Sequence, residues 1–264
     1  MWDPVLYGRY ATERSRPFFD LVARIDADQP ALVVDLGCGS GELTASLASR
    51  WPAADVRGID SSAEMIESAQ KMLATRPGGS GPGAGRLGFA LDDVRTWRPA
   101  RPADVLVSNA VLQWVPEHRD LLARWADGLA AGGWLAFQLP GNGEAPAYQV
   151  LRELIGSAAW RSRLADLDLN QQGADPAEYL DLLARAGCDV DAWETTYLHI
   201  LQGEDPVLRW YLSTGLRPVV AALDPEAAER FLAEYGALLR GAYPAAAYGT
   251  LFPFRRVFVV ARRR

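Results

Sequence analysis

The chain has 264 residues, 49% hydrophobic, 23% charged and 10% aromatic, a globular composition that excludes disorder, collagen and coiled coil as the main architecture. Its 27 basic and 33 acidic side chains leave a formal charge of -6, which suits neither nucleic acid nor an anionic membrane as partner. Two cysteines (Cys38, Cys188) and two histidines (His118, His199) supply neither a disulfide framework nor a metal site.

In chain order, MWDPVLYGRYATERSRPFF lacks the apolar core of a signal peptide, and no apolar run is long enough to cross a bilayer. The protein is therefore read as cytosolic, and as a monomer. Arg14 and Arg16 fall on an N-terminal helix downstream of Tyr7 and Tyr10, with Phe18, Phe19, Leu21 and Val22 as core. Ala31 to Leu36 is a buried strand, Glu42 to Arg50 a helix stopped by Pro52, and Asp55 to Asp60 a second strand. Ser61 or Ser62 can N-cap a helix running to about Thr75. Arg76 to Gly85 is too glycine-rich for regular structure and reads as a surface loop. Strands follow at Leu87 to Leu91, Ala103 to Ser108 and Gly133 to Leu139. A helix from about His118 to Ala130 separates the last two, ended by Gly132 and Gly133.

The second half is mostly helical over Ala145 to Leu169, Pro176 to Ala186 and Asp205 to Tyr243, with strands at Val190 to Leu201 and Phe254 to Ala261. Alternating strands and helices predict an α/β fold. The expected core is a seven-stranded Rossmann-like sheet with helices on both faces, its last two strands forming a hairpin-like pair. The whole of 1–264 reads as one domain, with helical insertions at about 141–175 and 203–250 capping the substrate site beside the carboxyl ends of the strands.

VVDLGCGSGELT (Val33 to Thr44) carries the most chemistry. A strand ends in Asp35, and Gly37, Gly39 and Gly41 alternate before a helix, so a ligand can lie against bare backbone. A dinucleotide loop would place a third glycine where Glu42 stands, and that carboxylate would repel a pyrophosphate. Asp35 suits the ammonium of an amino-acid-bearing ligand instead. Asp60, ending the second strand, can accept both ribose hydroxyls, although it could merely cap the next helix. Asp92 and Asp93 end the third strand, where a carboxylate can accept from an adenine amino group beside the Val94 amide. Asn109 ends the fourth with its side-chain carbonyl placed to cover the ligand.

DLGCGSGELT, GIDSSAEMI, DDVRTW and SNAVLQWV together resemble the ordered motifs of class I S-adenosylmethionine-dependent methyltransferases. More narrowly, YGRYATERSRPFFDLVARI, RWPAADVRGIDSSAEMI, NAVLQWVPEH, AGCDVDAWETTYLH, TGLRP and the terminal RRVFVVARR are similar to the trans-aconitate 2-methyltransferase family over nearly the whole chain. The resemblance implies S-adenosylmethionine as cofactor and a small polycarboxylate as acceptor. Asp35, Gly37, Gly39 and Gly41 would line the methionine and ribose region, Asp60 and Ser61 the ribose, and Met65 the adenine. Asp93 and Val94 would read the adenine edge, and Asn109 would contact the methionine portion.

A carboxylate acceptor is already ionised at neutral pH, so no catalytic base is expected; the demand is positioning at roughly 3–3.5 Å and exclusion of water. A net-negative protein must then supply local arginines. Arg217 ranks first, Arg14 next, then Arg255 and Arg256 at the start of the final strand. Tyr7, Tyr10, Gln113, Trp114 and Tyr197 complete the candidate acceptor site, although a core role for Trp114 is equally open. A phenolic acceptor would instead need His118 or His199 as base. A non-catalytic cofactor-binding module and a nicotinamide dehydrogenase are rival functions, the dehydrogenase opposed by Glu42. SNAVLQW also lacks the proline-bearing motif of enzymes that methylate DNA amino groups.

Overall fold

The computed structural model describes residues 11–75, 86–167, 169, 175–212 and 215–264. The expected glycine-rich loop Arg76 to Gly85, Tyr7, Tyr10 and the Arg14 side chain lie outside the described residues.

Helix α1 (Ala11–Val22) buries Phe18, Leu21 and Val22 and, just beyond it, Ile25, whereas Phe19 is 49% exposed. The four buried residues recur at helical spacing, and Phe19 falls about 100° away from that stripe, which corrects its reading as core. Strand β1 (Leu32–Leu36) is buried at every residue because it lies between two parallel neighbours. Its register starts at Asp104, whose carboxylate accepts from the amides of Ala31 at 2.9 Å and Leu32 at 2.8 Å. Helix α2 (Glu42–Arg50), β2 (Asp55–Asp60), α3 (Ala63–Thr75), β3 (Leu87–Leu91) and β4 (Ala103–Asn109) follow as two βαβ crossovers. Ser62 is the cap of α3, its hydroxyl accepting from the Met65 amide at 3.3 Å.

Helix α4 (His118–Asp127) ends earlier than its sequence suggests, and β5 (Leu129–Pro140) begins earlier. Leu129 pairs with Ala103 and Trp134 with Val105, so a bulge absorbs the extra residues, with Gly132 at φ +75° inside it. A Cβ on Gly133 would stand 2.9 Å from the carbonyls of Ala103 and Ala130. The glycine pair therefore bends a strand and does not stop a helix.

Beyond β5 come α5 (Pro146–Gly156), the single turn α6 (Arg161–Leu164), α7 (Pro176–Arg185) and β6 (Cys188–Leu201). Helices α8 (Pro206–Leu212), α9 (Arg217–Ala222) and α10 (Pro225–Ala242) precede the short β7 (Ala245–Ala246) and the long β8 (Gly249–Arg263). The strand order is β3-β2-β1-β4-β5-β8-β6. The two-residue β7 pairs antiparallel with β8 and raises the sheet from the expected seven strands to eight.

The chain divides into two compact units. The larger takes the described residues of Ser15–Pro140, Ala174–Thr195 and Val257–Arg264. Its core joins β1, β4 and β5 to Leu121, Leu122 and Trp125 of α4 and Tyr179 and Leu183 of α7. The smaller takes the described residues of Met1–Arg14, Gly141–Gly173 and Thr196–Arg256. There Leu151 of α5, Trp210 of α8, and Phe231 and Tyr235 of α10 enclose Phe252 and Phe254 of β8. Ala147, in the first turn of α5, gives its amide to the Tyr243 hydroxyl at 3.1 Å and takes the Tyr235 hydroxyl on its carbonyl at 3.0 Å.

Asp104→Ala strips both amides at the entry to β1 of their acceptor, and is expected to lower unfolding free energy by about 1–3 kcal/mol. Denaturant titration checks this; an unchanged midpoint would mean that water replaces the carboxylate.

Candidate active site

The carboxyl ends of β1, β2, β3 and β4 bring most of the cofactor candidates together in the larger unit. The loop after β1 has all three glycines at positive φ: Gly37 at +84°, Gly39 at +55° and Gly41 at +88°. Packing demands two of them. A Cβ on Gly37 would stand 2.2 Å from Val111, and one on Gly41 would stand 2.7 Å from the Phe89 ring. Around Gly39 nothing lies within 4 Å, so bare backbone faces open space there.

Asp60 holds this loop in place. One carboxylate oxygen accepts from the Gly39 amide and the other from the Ser62 amide, both at 2.9 Å. Closing the turn into α3 and buttressing the loop are thus one act, and each oxygen keeps a second lone pair for a hydroxyl donor. The amides of Gly37 and Cys38 both donate to the Ile59 carbonyl, which ties the loop to β2.

Asp35 is 2% exposed. Its Oδ2 accepts from the Thr44 hydroxyl at 2.6 Å, while its Oδ1 is buried with no hydrogen-bond partner. Burial pushes its carboxyl up to about 6, the Thr44 bond works against that rise, and repulsion from Asp60 adds to it. An orphaned carboxylate oxygen beside an exposed stretch of glycine backbone fits an ammonium group. It does not fit a phosphate. The Cys38 thiol, 8% exposed, is driven far above its ordinary range by burial and by both carboxylates, so it stays protonated.

At the end of β3, the Asp92 amide donates to the Asp60 carbonyl at 3.0 Å. Asp93 accepts from the Arg95 amide at 2.9 Å, and its carbonyl takes the Thr96 and Trp97 amides. Its side chain is therefore engaged in a turn that fixes Val94, 7% exposed, in the core. Met65 is half-buried in the first turn of α3, and Ser61 is exposed before it.

The end of β4 departs from expectation. The Asn109 carbonyl oxygen is taken by the Gln138 amide at 2.5 Å and does not face a ligand. Gln138, fully buried on β5, also accepts the Ala110 amide on its backbone carbonyl at 2.9 Å. Ala110 is held at φ +56°, a conformation that costs a non-glycine residue about 1–3 kcal/mol and is commonest at functional sites. The Gln113 amide nitrogen donates back to the Ala110 carbonyl at 2.6 Å, leaving Gln113 Oε1 buried without a partner. Trp114 is 42% exposed and so is not core. Gln138 and Thr44 are supporting residues that sequence reasoning missed; the signal for Gln138 was one polar residue within an apolar strand.

His118 is no base. Buried at 1% exposure, it meets the Val115 carbonyl through Nδ1 at 2.8 Å and the Tyr179 hydroxyl through Nε2 at 2.9 Å. Desolvation holds it below its ordinary range, so it stays neutral with both nitrogens engaged. Among the described residues no cluster of His, Cys, Asp and Glu could hold a metal. No described helix is long and apolar enough to cross a membrane.

The acceptor candidates scatter more. Gln113 and Trp114 lie in the larger unit. Tyr197 is buried in the smaller unit, stacked at 6.1 Å on His199. Arg217 is exposed as the first residue of α9. Arg255 donates its Nη1 to the Gly141 carbonyl at 2.9 Å, while its backbone is bonded to Asn142.

Comparison with known proteins shows the family. Residues 33–133 match a family of methyltransferase domains. Trans-aconitate 2-methyltransferase from Streptomyces avermitilis is 53% identical over 99% of this chain and 97% of its own length. The enzyme of that name from Mycolicibacterium gilvum is 51% identical over 99% of both chains. Among solved structures, the YcgJ protein of Bacillus subtilis shares the fold with a TM-score of 0.58 at 14% identity, covering 94% of this chain and 98% of its own. A phosphoethanolamine N-methyltransferase from Haemonchus contortus, in complex with S-adenosylhomocysteine, does so with a TM-score of 0.57 at 14% identity, covering 94% of this chain and 53% of its own. With identity near one half along almost the whole length, the chain belongs to the trans-aconitate 2-methyltransferase family.

Proposed function

We propose that this protein transfers a methyl group from S-adenosylmethionine to a carboxylate of trans-aconitate or a close relative, releasing the monomethyl ester and S-adenosylhomocysteine. The observation that carries this reading is identity near one half, along almost the whole chain, with relatives named for that reaction. The protein acts in the cytoplasm as a monomer, and the segments at about 141–175 and 203–250 supply the acceptor-binding surface.

The cofactor, when bound, supplies a methyl carbon made electrophilic by its sulfonium. The chain's part is to bind and orient. The buried Oδ1 of Asp35 pairs with an ammonium, and open backbone at Gly39 lets the ligand approach, with Gly37 and Gly41 shaping the loop. Asp60, with Ser61, takes the ribose hydroxyls, Met65 packs near the adenine, and Asp93 and Val94 lie at its edge. Asn109 contacts the methionine portion through its amide nitrogen, since Gln138 holds its oxygen.

An ionised carboxylate needs no proton removed, so rate arises from holding it in line and excluding water, not from a base. Both His118 nitrogens being engaged supports that chemistry over a phenolic acceptor. Gln113, Trp114, Tyr197, Arg217 and Arg255, with Tyr7, Tyr10 and Arg14, make up the proposed acceptor site. Esterification removes one charge from an acid resembling the cis intermediate of aconitase, which amounts to detoxification.

Labelled S-adenosylmethionine is expected to methylate trans-aconitate in preference to cis-aconitate, citrate, isocitrate and a simple phenol. Cofactor binding without turnover on any acid would discard the acceptor assignment. Asp60→Ala should weaken cofactor binding by roughly 1.5–3 kcal/mol in calorimetry, and unchanged affinity would remove Asp60 from the site.

Asp35 makes binding pH-dependent. Its ammonium partner requires the ionised form, so cofactor affinity should fall roughly tenfold per unit as pH drops below about 6. The raised carboxyl has the opposite effect on the ligand-free fold: stability is highest below the ordinary carboxylate range and is lost as pH rises through about 6. Asp35→Asn should therefore bind cofactor weakly at every pH and melt higher than the parent at pH 7.5. A parent whose affinity is flat between pH 5 and 7 would contradict this.

A further inference from the structure

The larger unit holds a pocket at the end of the sheet opposite the glycine loop. Its volume is about 430 Å³. Arg98, Pro99 and Arg101 line it from the connector before β4, and Arg124, Asp127 and Gly128 line it from the end of α4. We propose that this pocket binds a compact anion carrying two or more acid groups, a diphosphate or a tricarboxylate. The site is separate from the cofactor loop and does not depend on the reaction proposed above.

Clustered arginines mean little where carboxylates already neutralise them. Nearby arginines are neutralised in this way: Arg95 pairs with Asp93 and with Glu117, each at 3.4 Å, and Arg119 with Glu178 at 2.7 Å. The three around the pocket differ. Arg98 donates to the Trp97 carbonyl at 2.8 Å, Arg101 to the Ala31 carbonyl at 3.3 Å and Arg124 to the Arg95 carbonyl at 2.9 Å. Among the described residues none of the three meets a carboxylate, although Asp127 lines the same pocket. Backbone bonds of this kind hold a guanidinium in place and leave most of its five N–H donors for a ligand. Arg124 is half-buried, and its Nε is buried with no partner, so part of its charge is felt in a partly dry surrounding. Three guanidinium groups against one carboxylate leave the lining positive within a chain that is negative as a whole.

A single exposed arginine gains little from an anion, because water and salt screen the pair. Several that meet one multiply charged ligand add their attractions, and each fork can form paired bonds. The ligand must therefore carry more than one acid group. The negative end of α4 would ordinarily oppose an anion. Here Arg263 donates to the Asp127 and Leu129 carbonyls, both at 2.6 Å, and offsets that end. The wall is closely packed, since a Cβ on Gly128 would stand 3.0 Å from Pro99. From Ala103 to Asn109, β4 rises six steps of about 3.3 Å, roughly 20 Å in all, which sets the pocket well apart from the glycine loop.

The test is calorimetry on the full chain at low ionic strength, with pyrophosphate and citrate as probes. The tighter of the two identifies the acid group. The double variant Arg98→Gln/Arg101→Gln changes two exposed side chains and is checked for folding by circular dichroism. It is expected to raise the Kd of the tighter probe about tenfold or more, with S-adenosylhomocysteine affinity within about twofold. Arg124→Gln should weaken the same probe on its own. Asp127→Asn should tighten it about two- to fivefold, because it removes the opposing carboxylate. Arg161→Gln, an exposed arginine in the smaller unit, should leave it unchanged. Absence of binding by either probe up to about 10 mM would overturn the inference. So would an affinity that the double variant does not change, or one that Arg161→Gln lowers equally, since the probe would then be answering to surface charge in general.

Discussion

A carboxylate buried without a countercharge among the described residues governs the larger unit. Asp35 sits at 2% exposure with one oxygen satisfied by Thr44 and the other by nothing. Taking such a group out of water is costly, and the rise of its carboxyl to about 6 measures that cost. The neighbourhood is arranged to keep it so. Asp60 stands near enough to oppose its ionisation, and the glycine loop is fastened by Asp60 and the Ile59 carbonyl so that it cannot fold inward. The site is thus poised for a cation and tolerates its absence at the expense of stability, a trade common where binding geometry is prepared in advance.

The end of β4 is prepared by a different means. Gln138 grips two consecutive residues, Asn109 through its amide and Ala110 through its carbonyl, and Gln113 closes the turn on itself. These bonds hold Ala110 in a left-handed conformation that alanine does not choose freely. Val111 is thereby pressed against Gly37, within a distance no side chain at 37 could share. Loop and turn are one assembly, each shaped around the other.

Much of this was legible in the sequence. The runs at Asp55 to Asp60, Leu87 to Leu91 and Glu42 to Arg50 match their elements residue for residue, because short strands and a short helix bounded by glycine, proline and turn residues have few other ways to fold. What failed was long-range. Gly132 and Gly133 looked like a helix stop because local reasoning does not see that β5 must bulge to pair with Ala103. The Asn109 carbonyl seemed available because its captor, Gln138, lies 29 residues away. Arginines could be ranked by motif but not by burial: Arg217 is exposed and Arg256 is buried.

Cys38 gives the loop's electrostatics a second meaning. A methyl donor of the sulfonium type alkylates thiolates more readily than carboxylates, and a cysteine in the cofactor loop invites self-inactivation. Here burial, reinforced by the two carboxylates that make the site attractive to a cation, holds this sulfur in its protonated, poorly nucleophilic form. The acidity that recruits the reagent therefore protects the catalyst from it, with no residue set aside for the purpose.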